Sequence, residues 1–378
     1  MKFEVLSSDL MSRLNAISRE LSSKNTLPIL ENFLFEVGEN VLTVTASDGD
    51  STLITTIDIQ NGEGQGKFVV PAKTIIDPLK EMPQQQLRIE VDNGNYEVVV
   101  SYSNGKYNFI GGDAAAYPVL KELEADAKRF EMNPQGLLNG VTCTLFATAE
   151  DDLRPVMNGI YFDIKTDRVV FVASDSKKLV RLINNSITTD FEGAFILPKK
   201  PATLLKGIIS KDTEKCDISF DSKSVRFDLG NFQLSCRQIE GRYPRYEAVI
   251  PKNNTNRLTI DRQSFLSVLR RIAVFSNSAT NQVKFVINPE SMTISAQDVD
   301  FSTSGTETVP CSYTGPNLSI GFRANFLIEI LNVMSSQEID MLLSDAARAG
   351  LVTPVQNNEN EDLLMLIMPM MLTDFYTL

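Results

Sequence analysis

The 378-residue chain is 43% hydrophobic and 22% charged, carries a formal charge of −12, and contains no histidine. Such a composition suits a globular protein with room for two or three cores. Without imidazoles, Ser-His-Asp and Cys-His catalytic arrangements and histidine metal sites are excluded.

In chain order, Phe3 opens a short strand leading into a helix over 9–24. Leu10, Leu14, Ile17 and Leu21 share one face of that helix, and Ser8 or Asp9 can cap it. Alternating runs NFLFEV and VLTVTASD follow as strands, then a helix over 71–81, then two strands that lead to Pro118. The plan restarts at Phe130, with a helix over 134–149 capped by Asn133 and opened by Pro134. GIYFDI and VVFVASD are its strands, a helix covers 198–211, and the copy ends at Pro244 in GRYP. Leu258 begins a third copy, with helices over 261–277, capped by Asp261, and 323–335. It closes on LLMLIMPMML (363–372), too short to span a bilayer and therefore a buried strand that Pro369 ends, bulges or holds at an edge.

Several landmarks recur every ~125 residues, a period far above that of solenoid repeats. Asp48, Asp175 and Asp298 close equivalent hairpins; Pro71, Pro198 and Arg323 open equivalent helices; Pro118, Pro244 and Pro369 mark the ends. The charged stretch 120–130 and the polar stretch 250–257 give boundaries at 1–125, 126–253 and 254–378. Each domain is α+β, two helices packed on antiparallel sheets.

Cys143, Cys216, Cys236 and Cys311 lie far apart without ligand spacing and read as reduced thiols. No metal or cofactor is expected. The N-terminal sequence has neither a signal nor a transit pattern, so a cytoplasmic location is expected. The six helices carry about two basic residues for each acidic one, whereas the remainder of the chain is acidic. In PKKPATLLKGIISK, Lys199, Lys200, Lys206 and Lys211 meet no acid within the segment, which points to cations offered to a polyanion's phosphates. No base-reading motif or aromatic–basic stacking platform accompanies them.

The triplication, together with NTLPILENFLFEV (25–37), GRYP (241–244) and IMPMML (367–372), resembles the bacterial DNA polymerase III beta-subunit family, the sliding clamps, over essentially the whole chain. The resemblance implies a homodimeric ring of six similar domains, with helices lining a hole through which duplex DNA passes without sequence preference. It implies a non-catalytic processivity factor that tethers the polymerase III catalytic subunit, is opened by a clamp loader, and serves other clamp-binding-motif proteins. A protein-binding adaptor that never touches DNA is the competing reading.

By the same resemblance, DNA-facing residues fall on Lys24, Lys73, Lys80, Arg154, Lys199 and Lys200, joined by Lys206 from the basic segment. A partner-peptide pocket falls on Met157, Ser174, Ser176, Lys177, Lys178, Leu179, Pro244, Val249, Leu366, Met368, Pro369 and Met370. Methionines suit a pocket that must repack around different guests. The dimer interface falls on Lys106, Tyr107, Phe109 and Ile110, facing Arg270 or Arg271, Val274 and Phe275 of a second copy. Departures from the family pattern are Asp151 near the expected DNA, Ser176-Lys177-Lys178 in the pocket wall, Met371 where arginine is common, and the extra TDFYTL.

Overall fold

Three times the chain makes the same tight hairpin, closed by an aspartate that accepts backbone N–H groups. Asp48 Oδ1 accepts from the amides of Asp50 and Ser51 at 3.0 and 2.8 Å. Asp175 does so from Lys177 and Lys178 at 2.8 and 2.9 Å, and Asp298 from Asp300 and Phe301 at 3.0 and 3.3 Å. These are side-chain-stabilised turns, the role the sequence assigns to them.

The computed structural model describes residues 1–21 and 27–372. Among them the six helices are α1 (Ser7–Ile17), α2 (Ala72–Lys80), α3 (Pro134–Leu145), α4 (Lys199–Ile208), α5 (Arg262–Ala273) and α6 (Ala324–Val333). Each sits where its apolar periodicity predicts, but shorter. Asn133 accepts from the amide of Gln135 and Asp261 from that of Ser264, so both expected caps form. Ser8 and Asp9 do not cap α1. Its N-cap is Leu6, because the helix starts directly from the strand Lys2–Leu6 and takes both residues into its first turn. After Ile17 comes a single 3₁₀ turn, Ser18–Glu20, and Leu21 is extended; the remainder of the expected helix, to 24, lies outside the described residues.

The strands form two nine-stranded, one five-stranded and one four-stranded sheet among the described residues. Aromatic pairs recur in the core: Phe35 with Phe68 at 5.5 Å, Phe162 with Phe195 at 4.5 Å, and Phe285 with Phe322 at 5.6 Å. All six rings are essentially removed from water. Both large sheets cross a repeat boundary. Ser51–Asp58 of the first repeat pairs antiparallel with Phe232–Arg237 of the second, Leu53 opposite Leu234. Lys178–Asn184 of the second pairs with Glu361–Ile367 of the third, Val180 opposite Met365. The chain accordingly divides into two compact units rather than three, Met1–Gln135 with Lys200–Gln238 and Gly136–Lys199 with Ile239–Leu378. The middle repeat is shared between them.

The terminal apolar run forms its strand, which ends at Ile367, and Met370 then makes an isolated bridge to Gly321. Pro369 therefore follows its strand almost directly, whereas Pro118 and Pro244 come only after a further loop. The three prolines are not structural equivalents. Of the cysteines, three are buried and Cys311 is half-buried. No helix among the described residues is long and apolar enough to cross a membrane.

Gly140 in α3 lies against the ring of Phe171. A Cβ there would stand 2.6 Å from ring carbons, and the ring is fully buried. Gly140→Ala is expected to destabilise the chain by about 1–3 kcal/mol, read as a lowered denaturation midpoint. Phe171→Leu in the same chain should recover part of that loss; strict additivity of the two effects would contradict the steric cause.

Candidate functional site

One sheet face across the boundary between the second and third repeats is apolar. Leu179 pairs across strands with Leu366, and Leu366 with Leu351. Around them Val170, Val172, Ile196, Tyr243 and Tyr246 complete one cluster. The tyrosines are held by their rings and hydroxyls: Tyr161 stacks on Tyr243 at 4.7 Å, and Tyr246 donates to Asp163 at 3.1 Å.

Of the expected pocket residues, Leu179 and Leu366 belong to this cluster, and Pro244 and Val249 are chain neighbours of Tyr243 and Ile250, which pack in it. Met157 and Ser174 are buried, Pro244 and Val249 are exposed on the segment after Gly241, and Met368 is 42% exposed. Met368 is tied to the Asp175 turn, because its amide donates to the carbonyl of Lys177 at 2.9 Å. Ser174 Oγ closes that turn by donating to the carbonyl of Lys178. Ser176 takes a left-handed φ of 74° at the turn's tip, a strained setting for a serine. Pro369 and Met370 are half-buried.

Lys178 must be taken out of this group. Side chains alternate along a strand, so with Leu179 on the cluster face Lys178 points to the other. There it is 94% buried: its Nζ lies 3.0 Å from Glu329, 3.3 Å from Asp175 and 4.0 Å from the ring centre of Phe326. It anchors α6 and does not face a guest. Arg154, expected at DNA, is instead beside the pocket. It pairs with Asp151 at 2.8 Å and donates to Ser176 Oγ at 2.6 Å, while that hydroxyl is 3.9 Å from Met157 Sδ. The acid of the AEDDLR loop thus orients an arginine.

The remaining cations are less free than their sequence suggests. Lys24 lies outside the described residues. Lys80 pairs with Asp77 at 3.1 Å, and Lys199 with Glu150. Lys200 is locked between Asp48 at 2.5 Å, the carbonyl of Glu20 at 2.7 Å and Glu20 Oε1 at 3.2 Å. Lys199 and Lys200 do meet acids, contributed by other parts of the chain. Lys73 and Lys206 are exposed and have no ion-pair partner among the described residues.

Glu20 went unremarked in the sequence, where nothing distinguishes it from a surface helix acid. Its side chain is wholly buried, accepts from Ser51 Oγ at 2.6 Å, and leaves Oε2 without a hydrogen-bond partner among the described residues. Burial pushes its pKa from the ordinary 4.5 to about 7, against the opposing pull of Ser51 and Lys200. Asp48 is lowered instead: burial would raise it, but the Lys200 hydrogen bond and the turn amides outweigh that.

The expected interface residues fall on a sheet edge and a helix end. Gly105–Ile110 is the outermost strand of the five-stranded sheet. Tyr107 stacks on Phe109 with centroids 6.3 Å apart, its hydroxyl buried without a partner among the described residues, while Lys106 and Ile110 are exposed. Thr303–Pro310 is likewise outermost in the four-stranded sheet. Beside it the end of α5 exposes Val274 and sets Phe275 against Gly305, where a Cβ would lie 2.6 Å from the ring. Arg271 is held by Glu307 through two hydrogen bonds of 2.8 and 2.7 Å, and Arg270 donates to Asn332.

Comparison with known proteins matches the chain to family models of the DNA polymerase III beta subunit: the N-terminal domain over residues 1–121, the central domain over 131–245 and the C-terminal domain over 247–371. The beta sliding clamp of Synechococcus elongatus is 26% identical over 365 residues, covering 94% of this chain and 96% of that protein. That of Pseudomonas aeruginosa is 24% identical, covering 98% and 100%. Among solved structures, a Pseudomonas aeruginosa DNA polymerase sliding clamp with ligand superposes with a TM-score of 0.91 at 24% identity, covering 98% and 100% of the two chains. A Bartonella birtlesii sliding clamp bound to griselimycin gives 0.90 at 25%, with the same coverage.

The Glu20 carboxyl binds its proton more tightly folded than unfolded, so between about pH 4.5 and pH 7 the native state holds the extra proton. Stability from this group is therefore full below that window and is lost as pH rises through it. Glu20→Gln, which cannot ionise, is expected to gain on wild type by up to about 3 kcal/mol from pH 5 to pH 8. Denaturation midpoints measured across that range test this, and a pH-independent difference would contradict it.

Proposed function

The chain belongs to the DNA polymerase III beta-subunit family, and from that membership we propose how this sliding clamp closes its ring and receives its partners. It is a non-catalytic processivity factor that encircles duplex DNA and tethers the replicative polymerase. What carries the finer reading is the pair of outermost strands, Gly105–Ile110 and Thr303–Pro310, left after two seams have joined three repeats. An outermost strand presents unpaired N–H and C=O groups, and pairing two of them continues one sheet across a boundary.

The two internal seams supply the register. Leu53 opposite Leu234 and Val180 opposite Met365 are equivalent pairs, and the third member of that series is Gly305 opposite Tyr107 of a second copy. The absence of a side chain at Gly305 leaves Phe275 open to the Tyr107 ring, an aromatic filling a glycine gap. By the same equivalence Lys73 stands where Lys200 stands at the first seam, and Asp298 where Asp48 stands. Lys73 then bridges to Asp298 across the subunit boundary rather than contacting phosphate. Closed head to tail, two copies give a ring.

Lys24, Lys80, Lys199 and Lys206 are left to meet the DNA backbone, through contacts that carry no sequence information and weaken with salt. The apolar cluster around Leu179 and Leu366, lipped by Met157, Pro244, Val249, Met368, Pro369 and Met370, takes a glutamine- and phenylalanine-containing peptide of the polymerase, the loader or other clamp-binding proteins. Arg154 and Ser176 join its rim. The middle repeat is read as a domain of its own, 126–253, between domains 1–125 and 254–378.

Sedimentation equilibrium at micromolar concentration is expected to return about twice 42.0 kDa. Phe275→Asp should return a single-chain mass, and an unchanged dimer in that variant would rule out the proposed seam. Wild type should be retained on closed circular duplex after loading but lost on linearisation; an adaptor that never encircles DNA would make no such distinction.

Met368→Ala with Pro369→Ala is expected to weaken binding of a glutamine–phenylalanine peptide at least tenfold while leaving the dimer mass unchanged. Equal affinity for wild type and variant in fluorescence polarisation would remove the pocket from that role.

A further inference from the structure

One row of side chains crosses four neighbouring strands at each internal seam. At the second seam the row reads Ser174, Leu179, Leu366, Leu351. At the first, in the equivalent positions, it reads Ser47, Thr52, Ser235, Arg226. Two leucines have become hydroxyls and the third a guanidinium. Ser47 Oγ lies 3.0 Å from Thr52 Oγ1, and Arg226 Nε donates to Ser235 Oγ at 3.2 Å. Ser47 and Ser235 are both more than nine-tenths buried.

A cleft with about 150 Å³ of room opens over this row. Its apolar lip is the segment after Pro118, where Val119 is 90% exposed. Its charged lining consists of Lys121, Arg226 and Arg237 against one acid, Asp50. Arg226 is partly answered by Glu122 at 3.3 Å; Arg237 approaches Asp50 only to 3.8 Å, with both side chains largely in water. A net positive cleft in a chain of −12 is selective by sign.

We propose that this cleft is a second peptide-docking site, and that its guest is an extended acidic segment with an aliphatic residue beside the acid. Carboxylates pair with Arg237 and Lys121, the guest's main chain meets the hydroxyl row, and its aliphatic side chain covers Val119. An apolar guest of the kind suited to Leu179 and Leu366 would cover Lys121 and Arg237 without answering their charge, so the two clefts of one chain select opposite chemistries. The inference rests on reading the chain as a docking scaffold, and extends it to a different class of peptide.

The test uses the full-length dimer at about 50 mM salt, where exposed charge pairs are least screened. The probe is a fluorescein-labelled pentapeptide, ELELE, with QLQLQ as its neutral counterpart. Saturable binding of ELELE is expected, at least tenfold weaker for QLQLQ and for Lys121→Glu with Arg237→Glu, and weakened also by Thr52→Val, which alters no charge. The Met368→Ala, Pro369→Ala variant should bind ELELE as wild type does. No saturable binding, or a loss that follows Met368 and Pro369 rather than Lys121 and Arg237, overturns the proposal. A glutamine–phenylalanine peptide run in parallel separates the two readings: its failure to bind speaks against the apolar pocket and leaves the ELELE result standing.

Discussion

Antiparallel pairing across repeat boundaries is the constraint on which the rest of this molecule depends. A repeat of this plan ends in a strand whose outer hydrogen-bonding groups have no partner within the repeat, and such an edge is costly to bury and hazardous to expose. At the two internal boundaries the next repeat supplies the missing strand, seven residue pairs in the case of Lys178–Asn184 with Glu361–Ile367. Register is set there by burial on both faces, since a slip of one residue would take Leu179 and Leu366 out of their apolar cluster and Lys178 away from Glu329. The division of the chain into two compact units follows from the same pairing. Ladder hydrogen bonds and shared cores bind the strands of the middle repeat to its neighbours, so contact density does not respect the period of the sequence.

Each internal seam is also braced by a buried charge, and the two braces are built with opposite polarity. At the first, the earlier repeat supplies the acids Glu20 and Asp48, and the lysine comes from the start of α4. At the second, the earlier repeat supplies the cation Lys178, and the acid, Glu329, comes from α6. The two braces also use different positions, since Lys200 lies at the start of α4 and Glu329 well inside α6. The exchange of polarity is possible because a brace needs complementarity rather than a particular sign. The first brace carries the larger electrostatic tension. Glu20 is wholly buried with one oxygen unsatisfied among the described residues, and removing a partner from such a group leaves an uncompensated polar or charged atom.

Much of this was legible in the sequence, and the parts that were not share a cause. The repeat, the hairpin aspartates, the caps Asn133 and Asp261 and the terminal strand are all local patterns, set by neighbours within a few residues. The partners of Lys199 and Lys200 are not local: Glu20 and Asp48 lie more than a hundred residues from Lys200 in the chain. The isolation those lysines have in PKKPATLLKGIISK therefore says nothing about their isolation in space. Lys178 is a different case. Its position next to Leu179 in a strand already places the two on opposite faces, and strand alternation would have separated it from the pocket residues. The equivalence of Pro369 with Pro118 and Pro244 failed because spacing along the chain ignores where a strand ends.

The same distinction between local and distant charge governs how an acidic ring holds a polyanion. Exposed charges farther apart than about 8–10 Å are largely screened at physiological salt, so a phosphate near a helix responds to the few cations beside it and hardly to the total of −12. Of the cations proposed above to meet the backbone, Lys80 and Lys199 would offer a field lowered by their pairing with Asp77 and Glu150, whereas Lys206 would offer its full charge. Few phosphates are then neutralised at any moment, and both the affinity and its steepness in salt scale with that number. For a protein that stays on DNA because it encloses it, a small number is an advantage. Enclosure supplies the residence time, and weak contacts with the backbone keep the barrier to sliding low.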